Sequence, residues 1–175
     1  MKRKLIIIFG LVVMGLILYP KNFEFHKLKE RPSNVLIPDS IYDFVRNDVD
    51  VQDVSGILRE CAKVTCKLLN YSINQDVLFE NKVSKGHCVT YAKVCAALCN
   101  RVFVEYGVDA EAIPVVGYIT INGVNVHKLL MSVVPKKYKR YFIDHDMVEI
   151  RVGGERLCFI DPTEREFTGR ERIYH

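Results

Sequence analysis

The sequence predicts an α+β domain, with helices first and a long helix packed on an antiparallel β-sheet. Three observations point there. Apolar residues recur at helical spacing from Val54 to Leu68 and again from Cys88 to Tyr106. Beyond Gly107 the chain turns to Val- and Ile-rich stretches separated by Asn122-Gly123 and Gly153-Gly154, which are tight-turn pairs. Helices followed by a run of hairpins pack as a helical layer on one side of an antiparallel sheet. With 175 residues the chain can build one well-cored domain but is short for two.

The N-terminus departs from globular patterning. Lys2, Arg3 and Lys4 precede a run from Leu5 to Tyr19 that contains no charge. A basic segment before an apolar one is the signature of a secretory signal or signal anchor. The run ends Leu16-Ile17-Leu18-Tyr19-Pro20 with no small-x-small cleavage pattern, and no cysteine lies nearby to accept lipid, the first being Cys61. The expectation is therefore an uncleaved anchor over residues 1–20, a single N-terminal transmembrane helix. The run is shorter than the roughly 30 Å of bilayer hydrocarbon, so Lys4 and Lys21 would snorkel to the interfaces. The short basic end is expected in the cytoplasm and the domain on the exported side, although Lys21, Lys27, Lys29 and Arg31 crowd the other flank. Residues 21–38, mixed, polar and proline-containing, are expected as a linker, with the domain spanning 39–175.

Asp39 or Ser40 can cap a short helix to about Arg46. From Asp53 to Leu69 a stronger helix is expected, its apolar face made by Val54, Ile57, Leu58, Cys61, Val64 and Leu68. Residues 70–85 are ambiguous. Cys88, Ala92, Cys95, Cys99, Val102 and Tyr106 then form one stripe of a long helix, and Gly107 stops it. Expected strands are Glu111 to Ile121, Val124 to Val134, His145 to Val152 and Arg156 to Asp161, with a basic loop from Pro135 to Arg140. No internal repeat or low-complexity segment interrupts them.

Composition narrows the function. The 25 Lys and Arg against 21 Asp and Glu leave a scattered net charge of +4, with no basic stretch interleaved with aromatics, so nucleic acid is not an expected partner. The six cysteines include no Cys-x-x-Cys pair, which argues against a redox motif or zinc ribbon. Cys95 and Cys99, one turn apart, could share a metal, but core packing explains them better, and Cys158 lies in an apolar strand. Neither a metal nor another cofactor is expected.

The candidate chemistry starts at Gly86-His87-Cys88. A cysteine at a helix N-terminus meets unpaired N–H groups and the positive end of the macrodipole, which favours the thiolate. The plainer alternative is that Cys88 is the first rung of a buried stripe. Nucleophilic catalysis also needs a base and a group that orients it. Of five histidines, His26 falls in the linker, His175 ends the chain, and His87 diverges from Cys88 by about 100° on a helix start. His127 is expected mid-strand, sharing a face with Leu129, Met131 and Val133. His145 opens a hairpin whose return strand ends at Asp161, and the turn at Gly153-Gly154 sets the two close to opposite each other. Pro162 then ends the strand, leaving Asp161 at the sheet rim. A surface histidine beside Asp146 in a loop stays open as the alternative.

Gly-His-Cys-x-x-Tyr-Ala at 86–92, Tyr106-Gly107-Val108-Asp109-Ala110 leading to Val116-Gly117-Tyr118, His145-x-x-Val-Glu-Ile, and Ile160-Asp161-Pro162-Thr163 occur in that order. Together, over about residues 84 to 163, they resemble the transglutaminase-like superfamily, whose fold is related to papain. The resemblance implies a thiol nucleophile at Cys88, a general base at His145, an orienting carboxylate at Asp161, and acyl transfer on a peptide or protein amide through a thioester. Hydrolysis, as in a peptidase or amidase, is favoured over amine transfer. The chain departs from the family in having no Trp. Met147 and either Leu157 or Phe159 stand where the family commonly has one, which puts the aromatic walls of the cleft in question. The oxyanion hole is half assignable: the Cys88 N–H is one donor, and Asn74, Gln75, Asn81 or none of these is the second. Two rivals remain. One is a catalytically silent module holding a peptide or cell-envelope partner; the other is a tethered structural domain whose cysteines are all core.

Overall fold

The computed structural model describes residues 22–46, 53–72, 84–136, 139, 143–168 and 172–174. Its centre is a sheet of six strands. β1 (Phe23–Glu30), β4 (Ala110–Ile121), β6 (His145–Val152), β7 (Glu155–Asp161) and β8 (Arg172–Tyr174) lie side by side in that order, and β5 (Val124–Asn125) pairs with the end of β4. Every neighbouring pair in this sheet is antiparallel. A separate parallel pair, β2 (Leu69–Tyr71) and β3 (Ser84–Gly86), brackets the chain just before the long helix. The helices are α1 (Asp39–Arg46), α2 (Val54–Leu68), α3 (Cys88–Glu105), α4 (Val126–Val133) and α5 (Pro162–Thr168).

Helix α3 lies on β4 and β6, and α2 packs against its other side. Ten of its residues are buried, from Thr90 and Tyr91 to Val102 and Phe103. Its β-branched residues each cost a few tenths of a kcal/mol in helix propensity. Burial of one Val- or Phe-sized side chain contributes about 1.5–3 kcal/mol, so packing, not propensity, holds this helix. Asn100 fixes its register on the sheet: the side-chain amide donates to the Ala112 carbonyl (2.8 Å) and accepts from the Ala112 N–H (2.7 Å). Alternate residues of the strands serve two cores. Ala112, Val148, Ile150, Cys158 and Ile160 pack with the helices, while Val115, Met147, Phe159 and Tyr174 pack on the opposite face with Phe23 and Phe25.

Several expectations change. The stretch expected as a linker contains β1, because Phe23 and Phe25 alternate with Glu24 and His26 and bury their rings against β4, with Phe23 opposite Ile121 and Lys27 opposite Gly117. Gly117 makes this edge possible, since a Cβ there would come within 2.2 Å of the His26 carbonyl oxygen. The Asn122-Gly123 turn forms as expected, with φ of 50° and 77°. Its return strand, however, ends at Asn125, whose side chain caps α4 by accepting from Lys128 N–H (2.9 Å). His127 is therefore helical rather than mid-strand. Pro162 does end β7, but it also opens α5, where a first-turn proline costs nothing. Among the described residues no helix is long and apolar enough to cross a membrane. The expected anchor at 1–20, Asn74, Gln75 and Asn81 lie outside the described residues.

Candidate active site

The nucleophile position is built by three consecutive residues. β3 ends at Gly86, where a Cβ would lie 2.4 Å from Thr90 Cβ; only glycine lets the strand press onto the first turn of α3. His87 is the N-cap, and its Nδ1 accepts from Val89 N–H at 3.3 Å. Cys88 follows as the first residue of an 18-residue helix. That is the dipole position the sequence predicts.

His145 begins β6 opposite Gly117 of β4. Its Nε2 lies 2.7 Å from Asp161 Oδ2. The hairpin register differs from a simple count back from the turn. A bulge between Ile150 and Arg151 puts Val148 opposite Ile160, so carrying the register one step further sets Asp161 opposite Met147. His145 and Asp161 meet diagonally. The other carboxylate oxygen of Asp161, Oδ1, accepts from Thr163 N–H (2.9 Å) and Glu164 N–H (3.1 Å), capping α5. The carboxylate is thus held at both oxygens.

The Cys88 thiol donates to Asp146 Oδ2 (3.9 Å), and His145 and His87 both lie close enough to favour its ionised form. With Nε2 turned to Asp161, Nδ1 is the imidazole nitrogen left for the thiol. Burial opposes ionisation of Cys88, but the hydrogen bonds from His145 and His87 outweigh it and bring the thiol down to about 7. For His145, burial favours the neutral ring, yet the charge and hydrogen bond of Asp161, joined by Cys88, hold it well above the usual histidine range. His145 and Asp161 are in direct contact, Cys88 responds to His145, and the shifts at both Cys88 and His145 run towards their charged forms.

The site holds residues that sequence reasoning missed. His87, set aside on angular grounds, reaches both the helix end and the thiol. Asp146 is fully buried, and its Oδ2 lies 3.9 Å from Cys88 Sγ. Arg31, just past β1, pairs with Asp146 through Nε to Oδ1 and through Nη2 to Oδ2 (3.1 Å). Tyr71, beside Gly86 in the β2–β3 pair, contacts Phe167 of α5 edge-on (centroids 5.0 Å apart) and Tyr91 (6.2 Å). Phe167 is two-thirds exposed, and Tyr71 is near enough to Cys88 to respond to its charge. His127 stacks 6.2 Å from His145, ring to ring. The only signals in the sequence were adjacency, for His87 and Asp146; nothing in it ties Arg31 or Tyr71 to Cys88.

Met147 and Phe159 are buried in the sheet, while Leu157 is exposed. Cys61, Cys95, Cys99 and Cys158 are buried and unpaired by disulfides. Among the described residues no cluster of three His, Cys, Asp or Glu side chains could hold a metal. Comparison of the chain with protein-family models, curated proteins and solved structures gives no match.

Proposed function

We propose that the protein is a cysteine acyl-transfer enzyme of the transglutaminase-like kind, acting on a peptide or protein amide through a thioester on Cys88. The observation that carries this is the pair His145 Nε2–Asp161 Oδ2 at 2.7 Å, set beside a helix-start thiol whose ionisation His145 favours. His145 takes the thiol proton and the thiolate attacks the amide carbonyl. The oxyanion is held by the Cys88 N–H, one of the unpaired donors of the helix end. His145 then protonates the departing ammonia or amine, leaving the acyl group on sulfur. Water attacks the thioester, with His145 again as base, and releases the acid. An amine in place of water would give cross-linking. The apolar run of residues 5–19 would tether the domain to a membrane, with the domain on the exported side.

The test is a trap. Purified protein mixed with a glutaminyl or other peptide amide and quenched in acid is expected to carry the acyl mass on Cys88, removable by hydroxylamine, and Cys88→Ala to carry none. Absence of any adduct, together with Cys88 labelling by iodoacetamide at an ordinary thiol pH, would favour the silent binding module instead.

A further inference from the structure

A buried carboxylate beside a nucleophilic sulfur is an obstacle to catalysis, because a thiolate forming next to it meets a like charge. Asp146 Oδ2 stands 3.9 Å from Cys88 Sγ with no exposure to water. Arg31 is the cation that answers it. Its Nε and Nη2 grip both carboxylate oxygens, its Nη2 also lies 3.7 Å from Asp144, and its backbone N–H donates to the Pro114 carbonyl (2.8 Å), fixing the side chain's root to β4. A two-point guanidinium pair is geometrically specific in a way that a lysine contact is not.

We propose that Arg31 is a positioning residue for the nucleophile, holding and neutralising Asp146 so that the Cys88 thiolate can form beside it. The inference rests on the assignment of Cys88 as nucleophile and adds the residue that makes its surroundings tolerable. The groups facing Cys88 are His87 from its own helix start, His145 and Asp146 from β6, Arg31 from just past β1, and Tyr71 from β2; Asp144 acts on Arg31 and on Asp146, and Asp161 on His145. Only Arg31 among them is permanently cationic. The electrostatics agree in direction: Asp146 pushes the thiol up, Cys88 and Asp146 both favour charged Arg31, and Arg31 restrains the upward push of burial on Asp146.

The experiment is the pH profile of iodoacetamide labelling at Cys88 in full-length protein, with folding followed by circular dichroism. A like or opposite charge at this range moves a titration by about one to three units. Arg31→Met is expected to raise the labelling midpoint by about one unit or more, cutting the rate at a pH below the midpoint about tenfold. Asp146→Asn, which removes the like charge, is expected to lower the midpoint. The double variant is expected to return towards the wild-type profile, and Arg31→Lys to lie between wild type and Arg31→Met. Should Arg31→Met fail to fold, the Asp146→Asn shift decides alone. A folded Arg31→Met with an unchanged midpoint, or Asp146→Asn with an unchanged or raised one, overturns the proposal. A wild-type midpoint at an ordinary thiol pH would instead overturn the nucleophile assignment beneath it.

Discussion

Helix α3 carries the same side chain in two settings. Cys88, at its first position, is partly exposed and is drawn down to about 7, against burial, by His145 and His87. Cys95 and Cys99, two and three turns further on, are fully buried and sit well above their ordinary value. Cys95 is pushed up first by its hydrogen bond to Cys99, then by burial; for Cys99 the first cause is its hydrogen bond to Cys61. One helix thus holds a poised thiol at its mouth and inert ones in its body. What separates them is not the residue but the company: imidazoles and a helix end in one case, other thiols and hydrocarbon in the other. Cysteine count says little about reactivity; position on the helix says most.

Removing the imidazole should erase the contrast most completely. With His145→Ala, burial acts on Cys88 largely unopposed, so its midpoint should rise from about 7 to the ordinary 9 or beyond. Because a thiol titrating at 9 is about one per cent ionised at neutrality, labelling at pH 7 should fall about fiftyfold. A profile that stays near 7 would mean that the helix end and His87 suffice. Asp161→Asn sharpens the point. Asparagine caps a helix about as well as aspartate, so α5 should keep its start and thermal stability should hardly change. Loss of the negative charge should let His145 fall towards its usual range and raise the Cys88 midpoint by about one unit. A large drop in melting temperature with no change in labelling would show the carboxylate to be structural only. Cys99→Ser addresses the other end of the comparison: a hydroxyl buried among thiols should cost about 1–3 kcal/mol in denaturant titrations, with Cys88 labelling unchanged.

Much of this was legible in the residues. The apolar face from Val54 to Leu68, the stripe from Cys88 to Tyr106, the stop at Gly107 and both tight turns follow from local rules, and they place α2, α3 and the β6–β7 hairpin. Counting back from the Gly153-Gly154 turn brings His145 and Asp161 within one residue of their true register, and Cys88 is singled out by its place at a helix start. What could not be read depends on contacts between distant segments. β1 resembles a charged linker until Phe23 and Phe25 find β4. Residues 126–133 carry apolar residues that fit a strand or a helix, and Asn125 decides by capping. Pro162 ends one element and starts another, because Asp161 serves the imidazole with one oxygen and α5 with the other. Arg31 lies 57 residues before Cys88, and no local pattern joins them.

β1 is an outer strand of the sheet, and the chain reaches it only a few residues after the apolar N-terminal run. A fragment cut at Asp39, where composition would place the start of the domain, would bare the backbone amides and carbonyls along β4. Such a margin recruits strands from other molecules. The segment that reads as a linker is therefore both the sheet's selvedge and the stretch that brings the Arg31 guanidinium to Asp146, so the same cut would also remove that carboxylate's partner.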